Sequence, residues 1–410
     1  MTKRSFDVVV VGAGPAGLAA ARRAIECGVQ VALIDDNPAR GGQIWRNLPV
    51  PPEWESKPAT VLGASVVAAP APHTLLLESF EGDEEIGYRA LILATGARER
   101  FLPFPGWTQP HVMGAGGLQA LAKSGFPVAG KRIVVAGSGP LLLAVAKYLK
   151  DHGAQAPLIA EQADALALAR FSLALTLQPG KLVQGALLRL GLRSVRYHSS
   201  CWPIETAPGS ITLRRAGGKI WTEPCDYVAC GFGLVPNTEL PALLGCRVAG
   251  GCVAVDQLQQ TSVANVYAAG EVTGIGGLDL SLIEGEIAGC AAAGRPELAA
   301  KRFAARASGR RFATALDRAF ALRPELKSLA KDDTIVCRCE DVPLGRIRAC
   351  AGWREAKLQT RCGMGPCQGR MCSGAVDFLF GWTNESVRPP LYPARIGTLA
   401  RTSLPDGSLR

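Results

Sequence analysis

Several shortages narrow the field before any motif is read. Histidine occurs only four times in 410 residues, at positions 73, 111, 152 and 198. None of these has ligand-like spacing, which argues against a histidine-built metal site. Aromatic residues make up 6% of the chain and form no base-stacking platform or recognition motif. The net charge of +10 therefore does not point to nucleic acid. The apolar run Val8–Val11 has strand length, and no N-terminal stretch joins a basic start, an apolar core and a small-residue cleavage site. The expected location is the cytoplasm. No Cys-x2-Cys precedes residue 337, and the one Cys-x4-Cys there, Cys225 with Cys230, brackets a strand pattern on which the two point to opposite faces. That argues against dithiol–disulfide chemistry. No acid–base pair or activated nucleophile stands out, so no catalytic residue is named. Arg98, Glu99 and Arg100 could serve, with surface salt pairing as their ordinary role.

Acid is scarce in one place only. Residues 1–300 carry 25 Lys+Arg and 25 Asp+Glu, whereas residues 301–410 carry 20 and 10. The whole excess of positive charge lies in the last quarter, suited to an acidic partner subunit, an anionic cofactor or an anionic membrane face.

Glycine, by contrast, is abundant at 47 residues, and 48% of the chain is hydrophobic, enough for several domains with substantial cores. Phe6–Val11 reads as a buried strand, Gly12-Ala13-Gly14-Pro15-Ala16-Gly17 follows at once, and an alanine-rich helical pattern runs to about Cys27. Val29–Ile34 is the next strand and ends in Asp35-Asp36, completing a βαβ unit. Gly12 permits the tight turn, Gly14 lets backbone approach a pyrophosphate, and Gly17 allows close helix–strand packing. The helix N-terminus favours phosphate charge. The acid that binds the ribose is Asp35 or Asp36, with Asp35 the better fit. Residues 60–93 read as short strands with Glu81–Gly87 as a polar turn. A partial repeat of the unit begins at Lys131: a strand, the turn Gly137-Ser138-Gly139-Pro140, a helix and a strand ending in Glu161. Leu142 replaces the third glycine there, so this second site is degenerate, and whether it holds NAD(P), ATP or nothing stays open.

Thirteen cysteines are present, six of them between Cys337 and Cys372. The other seven read as buried small hydrophobes. Cys337 and Cys339 form one close pair, and Cys367 and Cys372 a second within a glycine-rich stretch. Four thiolates in two pairs suit a [2Fe–2S] centre, with zinc as the alternative. Cys350 and Cys362 are set aside as bystanders, although Cys362 stands close enough to Cys367 to compete as a ligand.

These motifs carry a resemblance. Ala94-Thr95-Gly96 looks like the crossover of the two-dinucleotide-domain flavoproteins, Gly41-Gly42-Gln43 sits where that family brings backbone near an isoalloxazine, and Gly270-Glu271 resembles its ribitol-binding motif with Glu in place of Asp. The module Val336–Cys372 resembles the bacterioferritin-associated-ferredoxin-like [2Fe–2S] domain. Together with Gly233-Leu234-Val235-Pro236-Asn237, these motifs resemble the α subunits of flavin-dependent D-hydroxyproline and L-proline dehydrogenase complexes and the corresponding flavoprotein subunits of opine oxidases and of hydrogen cyanide synthase. The resemblance implies an α/β, two-dinucleotide-binding-domain flavoprotein of the pyridine nucleotide-disulfide reductase type with a C-terminal [2Fe–2S] domain. Expected boundaries are 1–110 and 245–300 for the FAD domain, 111–244 for the second nucleotide domain, 301–331 for a helical connector, 332–385 for the cysteine module and 386–410 for an extended tail. It implies FAD, a [2Fe–2S] cluster and an FMN at a subunit interface. Its implied partners are an FAD-containing amine-oxidising β subunit, a small third subunit, and a quinone, respiratory-chain or dye acceptor. D-hydroxyproline is the expected substrate. Opine or glycine oxidation, an NAD(P)H-dependent reductase and a zinc-stabilised assembly protein are the alternatives. A peripheral place at the inner face of the membrane fits the same picture.

Overall fold

Val8, Val9 and Val10 are fully buried because their strand lies at the centre of a parallel sheet covered on both faces. In the computed structural model, which describes residues 3–383 and 387–400, Lys3–Val11 pairs in parallel with Val31–Asp35 on one side and Asp83–Leu93 on the other. Ala59–Leu62 extends one edge, and Thr74–Ser79 and then Ala64–Ala71 extend the other as antiparallel strands. Val266–Ala268 returns to pair in parallel with Asp83–Leu93, making seven strands. The polar turn expected over Glu81–Gly87 is corrected here: from Asp83 onward these residues belong to an eleven-residue strand. Their charge is accommodated because the strand is paired on both sides and Arg4 bonds the Glu84 carboxylate through Nε and Nη2 at 3.1 and 2.7 Å.

This sheet belongs to the first of two units, formed by residues up to 98, residues 236–313 and the described part of the tail. Its helices Pro15–Glu26 and Gly277–Ala292 cross with almost no side chain between them. A Cβ on Gly285 would come within 2.2 Å of the Ala16 carbonyl oxygen, and one on Gly289 within 2.4 Å of that of Ala20. The tail is fastened to the antiparallel edge: Leu391 N–H donates to the Val67 carbonyl, and Arg395 N–H to Glu78 at 2.9 Å. It is not wholly extended, since Ile396–Ala400 is a short helix; the expectation for 401–410 lies outside the described residues.

The second unit comprises residues 99–235 and 314–385. Its boundaries fall near 98 and 235, some residues before the positions expected from sequence at 110 and 244. A five-stranded parallel sheet runs in the order Arg196–His198, Leu158–Glu161, Ile133–Ser138, Tyr227–Phe232, Val112–Gly114. A three-stranded antiparallel sheet, Cys201–Ala207 with Ser210–Arg215 and Ile220–Pro224, packs into the same core through Trp202, Ile211 and Leu213. The cysteine module has its own small core of Val336, Val342, Ile347, Trp353, Ala356 and Val376. It also shares the larger one, where Met371 and Phe378 join the apolar cluster around Phe104 and Phe232, and Trp107 Nε1 donates to the Ile335 carbonyl at 2.6 Å.

The glycine crossing yields a direct test. Gly285→Val places a β-branched side chain against backbone that has no room to yield, and should cost about 2 kcal/mol or more. Gly185→Ala, in a helix where a Cβ meets nothing within 4 Å, should instead stabilise by about 0.5–1 kcal/mol. Chemical denaturation of the two variants checks both signs.

Candidate functional site

The turn after the first strand is built from backbone. Gly12 has φ +108°, and a Cβ there would lie 2.2 Å from the Ala94 carbonyl oxygen. A Cβ on Gly17 would lie 1.7 Å from the Gly12 carbonyl oxygen. Only glycine lets the helix Pro15–Glu26 start this close to the strand, with Pro15 preset in its first turn. Gly14 is extended at φ −76°, and the loop bearing Gly42 folds over it, so that a Cβ on Gly42 would come 2.9 Å from the Gly14 Cα. Gly41 N–H donates to the Ala13 carbonyl at 2.8 Å. Gln43 lies beside this loop, its Oε1 accepting from Arg46.

Asp35 ends its strand buried, while Asp36 is less enclosed. Asp35 Oδ2 accepts from Ala13 N–H, and Oδ1 accepts from Asn37 N–H and Nδ2 at 2.7 Å each. The Ala94-Thr95-Gly96 crossover is stitched reciprocally to Asn237: Thr95 Oγ1 donates to the Asn237 carbonyl at 2.7 Å, and Asn237 Nδ2 donates to the Thr95 carbonyl at 2.8 Å. Gly270-Glu271 opens a short 3₁₀ turn, and burial pushes the Glu271 carboxyl up. Sequence reasoning missed what holds this turn. Glu284, fully buried, accepts from Gly270 N–H at 3.1 Å and Thr273 Oγ1 at 2.9 Å, and pairs with Arg310 at 2.6 Å. Only the presence of an acid inside a largely apolar helix hints at it. A glycine turn, a covering loop and the N-terminus of a twelve-residue helix are a cradle that fits a dinucleotide.

The second unit repeats this design with one change. Gly137 again approaches backbone, since a Cβ there would lie 1.7 Å from the Gly231 carbonyl oxygen. But Gly139 has φ +106°, unlike Gly14, and the helix begins one position later, at Leu141 after Pro140. Leu142 is buried among Val135, Val145 and Ile159. Glu161, also buried, accepts the Gly139 N–H at 2.8 Å and the Ala163 N–H at 2.9 Å. Burial pushes its carboxyl up to about 7 against those bonds. The chain itself lies across the ends of these strands. Ser138 Oγ donates to the Phe320 carbonyl at 3.1 Å, Gln162 Nε2 to the Ala321 carbonyl at 3.2 Å, and Arg323 N–H to Gln162 Oε1 at 3.1 Å. That is where a dinucleotide lies in such folds.

Of the three charged residues after the crossover, Arg98 pairs with Glu239 at 2.8 Å. Glu99 accepts the N–H groups of Gly116 and Gly117 at 2.7 and 3.0 Å, capping the helix Ala115–Lys123. Arg100 is half-buried with Asp377 as its charge neighbour, and burial lowers its pKa. Arg98 and Glu99 thus each have a structural task.

In the cysteine module, the sulfurs of Cys337, Cys362 and Cys372 lie within 4.8 Å of one another, all buried. Cys362 and Cys372 are 3.9 Å apart, and Gly363 N–H points to Cys337 Sγ at 3.4 Å. Hydrogen bonds from Cys362 and Cys372 hold the Cys337 thiol far below its ordinary range, and the bond to Cys337 pushes Cys362 up to about 12. Cys339, exposed, and Cys367, half-buried, hydrogen-bond each other. The four ligands expected from spacing are split between these two groups, and Cys362, set aside by that reading, completes the buried one. Cys350 stands apart, its thiol directed to the Arg346 carbonyl. Gly365 and Gly363 are required by packing: a Cβ would come 2.4 Å from Cys339 Cβ at the first and 2.8 Å from the Trp353 ring at the second. Five thiols on a glycine-rich loop and the strand beside it are a donor set that fits iron–sulfur or zinc.

Glu161 gives a pH signature. A carboxyl whose folded pKa is raised binds a proton in the native state that the unfolded chain has already released. The stability this group contributes is therefore fully present below about pH 4.5 and is lost as pH rises to about 7. Glu161→Gln should abolish up to about 3 kcal/mol of that loss, read as the difference between wild-type and variant denaturation midpoints at several pH values.

Among the described residues, no helix is long and apolar enough to cross a membrane. The family model for pyridine nucleotide-disulphide oxidoreductases matches residues 6–302. An opine oxidase subunit of Rhizobium meliloti (strain 1021) is 33% identical over 96% of this chain and 98% of its own length. Hydrogen cyanide synthase subunit HcnB of Pseudomonas protegens is 30% identical over 90% of this chain and 91% of its own. Among solved structures, L-proline dehydrogenase from P. horikoshii superposes with a TM-score of 0.66 at 18% identity, covering 97% of this chain and 80% of that one. The fold implies FAD binding, and with the glycine cradle, the crossover and the Glu271 turn in one unit, the chain belongs to the pyridine nucleotide-disulphide oxidoreductase family.

Proposed function

We propose that this chain is the electron-transferring subunit of a multi-subunit amino-acid dehydrogenase. A separate FAD-containing β subunit would oxidise the substrate C–N bond, and D-hydroxyproline is the substrate we favour. The observation that carries this reading is the buried thiol group Cys337–Cys362–Cys372 in a chain similar along nearly its whole length to an opine oxidase subunit. Gly12, Gly14, Pro15, Ala16, Gly17 and Asp35 would hold the pyrophosphate and ribose of FAD, with Gly42, Gln43, Ala94, Thr95, Gly96, Gly270 and Glu271 around the rest. Cys337 and Cys372, with Cys339, Cys367 or Cys362, would hold a [2Fe–2S] cluster. When bound, FAD supplies a carrier that takes two electrons and releases them singly, and the cluster supplies a one-electron carrier. The protein's own task is to fix these groups. Asp35 and Glu284 lock the turns, and the Gly363 N–H steadies negative charge on Cys337 sulfur. An FMN at the β-subunit interface, a small third subunit and a quinone-level acceptor belong to the same proposal.

Two features of the second unit speak against an NAD(P)H-dependent reductase. Glu161 occupies the Gly139 N–H, and residues 320–323 cover the strand ends.

The test is the co-purified complex, assayed for dye reduction with D-hydroxyproline, L-proline, glycine and opines. Flavin bleaching by one of these, and none by NADH or NADPH, is expected. Bleaching by NAD(P)H alone would overturn the reading. Iron analysis after anaerobic purification separates the ligands: Cys337→Ser and Cys372→Ser should each lower bound iron by about tenfold or more, the serine variants of Cys339, Cys362 and Cys367 tell which of these complete the set, and Cys350→Ser leaves iron unchanged. Stoichiometric zinc in place of iron would assign the module a structural role.

A further inference from the structure

Two of the seven cysteines outside the cysteine module meet each other. The crossing of Pro15–Glu26 with Gly277–Ala292 runs on to the end of the first helix. There Gly289 stands so near that a Cβ on it would come 2.9 Å from Arg23 Cβ. That approach sets the next residue, Cys290, against Cys27, which ends the first helix with its N–H on the Arg23 and Ala24 carbonyls at 3.1 Å each. The two thiols hydrogen-bond each other. Cys201, Cys225 and Cys230, by contrast, are packed among the apolar side chains of the second unit's core, the ordinary place of a free cysteine.

The pair also lines a cavity of about 430 Å³, together with the acids Glu26 and Glu286 and the bases Arg23, Lys301 and Arg302. Glu286 engages Arg23 at 3.0 Å and Arg302 at 2.6 Å, whereas Lys301 is exposed and has no ion pair among the described residues. Arg295 adds positive charge near both sulfurs. Bases thus exceed acids around the thiols, which suits a small anion. Cys27 is partly exposed, and Cys290 is buried behind it. Burial pushes the Cys290 thiol up to about 11, and Arg23 pulls it the other way. Cys27 is therefore the thiol that a molecule in the cavity reaches first.

We propose that Cys27 and Cys290 are a redox-sensitive dithiol, which a small anionic disulfide entering this cavity oxidises to a disulfide between the two helices. With glutathione disulfide as the oxidant, the Cys27 thiolate attacks one of its sulfurs and releases one glutathione. Cys290 then attacks the Cys27 sulfur and expels the second glutathione. Two protein thiols lose two electrons, glutathione disulfide gains them, and the two thiol protons end on the two glutathiones. The bridge clamps the pair of helices that fix the Gly12–Gly17 and Gly270-Glu271 turns. It depends neither on the substrate of the complex nor on the metal in the cysteine module.

The full-length protein is incubated with glutathione disulfide, its remaining thiols are alkylated after unfolding, and its peptides are read by mass spectrometry. The expected product joins Cys27 to Cys290, leaves Cys201, Cys225 and Cys230 alkylated, and is reversed by dithiothreitol. In Cys290→Ala, glutathione should stay on Cys27, and in Cys27→Ser, Cys290 should stay a thiol. Because the bridge joins distant points of the chain, the oxidised wild type should have a higher denaturation midpoint than the reduced protein. Cys27→Ser should lose that upward shift, and its reduced form, altered at a partly exposed site, should unfold at the wild-type midpoint. Glutathione persisting on Cys27 in the wild type, both thiols remaining unmodified, or Cys27 joined to another cysteine would each overturn the proposal. A Cys27–Cys290 bridge that leaves the midpoint where it is in oxidised Cys27→Ser would overturn the clamp.

Discussion

Backbone packed directly against backbone is the constraint on which the rest of this structure depends. The helix that would face a pyrophosphate starts where it does because Gly17 has nothing to hold it off the Gly12 carbonyl. The same helix is pinned on its other side by Gly285 and Gly289 against the carbonyls of Ala16 and Ala20. Since interiors are packed as densely as organic crystals, a single added methyl at any of these points must displace main chain rather than a side-chain tip. Gly285 lies one position after Glu284, which bonds the Gly270 N–H. One helix therefore fixes both the Gly12–Gly17 turn and the Gly270-Glu271 turn.

The two units offer a comparison within one molecule. In each, a carboxylate at the end of the second strand accepts a backbone N–H twenty-two residues earlier, Asp35 from Ala13 and Glu161 from Gly139. The partners are not equivalent positions. Asp35 takes the residue between the first two glycines, whereas Glu161 takes the second glycine itself, turned to φ +106°. The longer glutamate side chain reaches the extra step. The same strand–turn–helix design thus satisfies a different N–H in each unit.

What was legible in the sequence follows from this. Glycines that allow backbone contact act within a few residues, so the turn at Gly12–Gly17 and its repeat at Gly137–Gly139 could be read from local spacing, as could the strands that flank them. Asp83–Gly87 was misread because its polar composition suits a turn, and only the strands paired on either side make it a strand. Glu284 and Arg310 were invisible because their meaning lies in a contact across 26 positions of the chain. Cys362 was set aside because spacing pairs neighbours in sequence, whereas the fold of the module brings it to Cys337, twenty-five residues away. Gly363 and Trp353 set that approach, since the ring leaves no room for a side chain at 363 and so brings the loop down onto Cys337.

The covering of the second crevice then acquires a structural reason. A nucleotide fold presents polar groups at its strand ends, and buried polar groups must be satisfied. Ser138 and Gln162, both buried, find their partners in Phe320, Ala321 and Arg323. From there the chain passes Leu326 and Leu329, which enter the core of the same unit, and arrives at Ile335, whose carbonyl is held by Trp107. Two residues later comes Cys337. Ser138 and Gln162 thus anchor the segment that leads into the thiols. A site whose donors must stay within a fraction of an ångström of one another is best carried on rigid elements with satisfied neighbours. In this chain the second unit supplies them, its strand-end side chains, residues 320–323 and Ile335 being tied together by one set of hydrogen bonds.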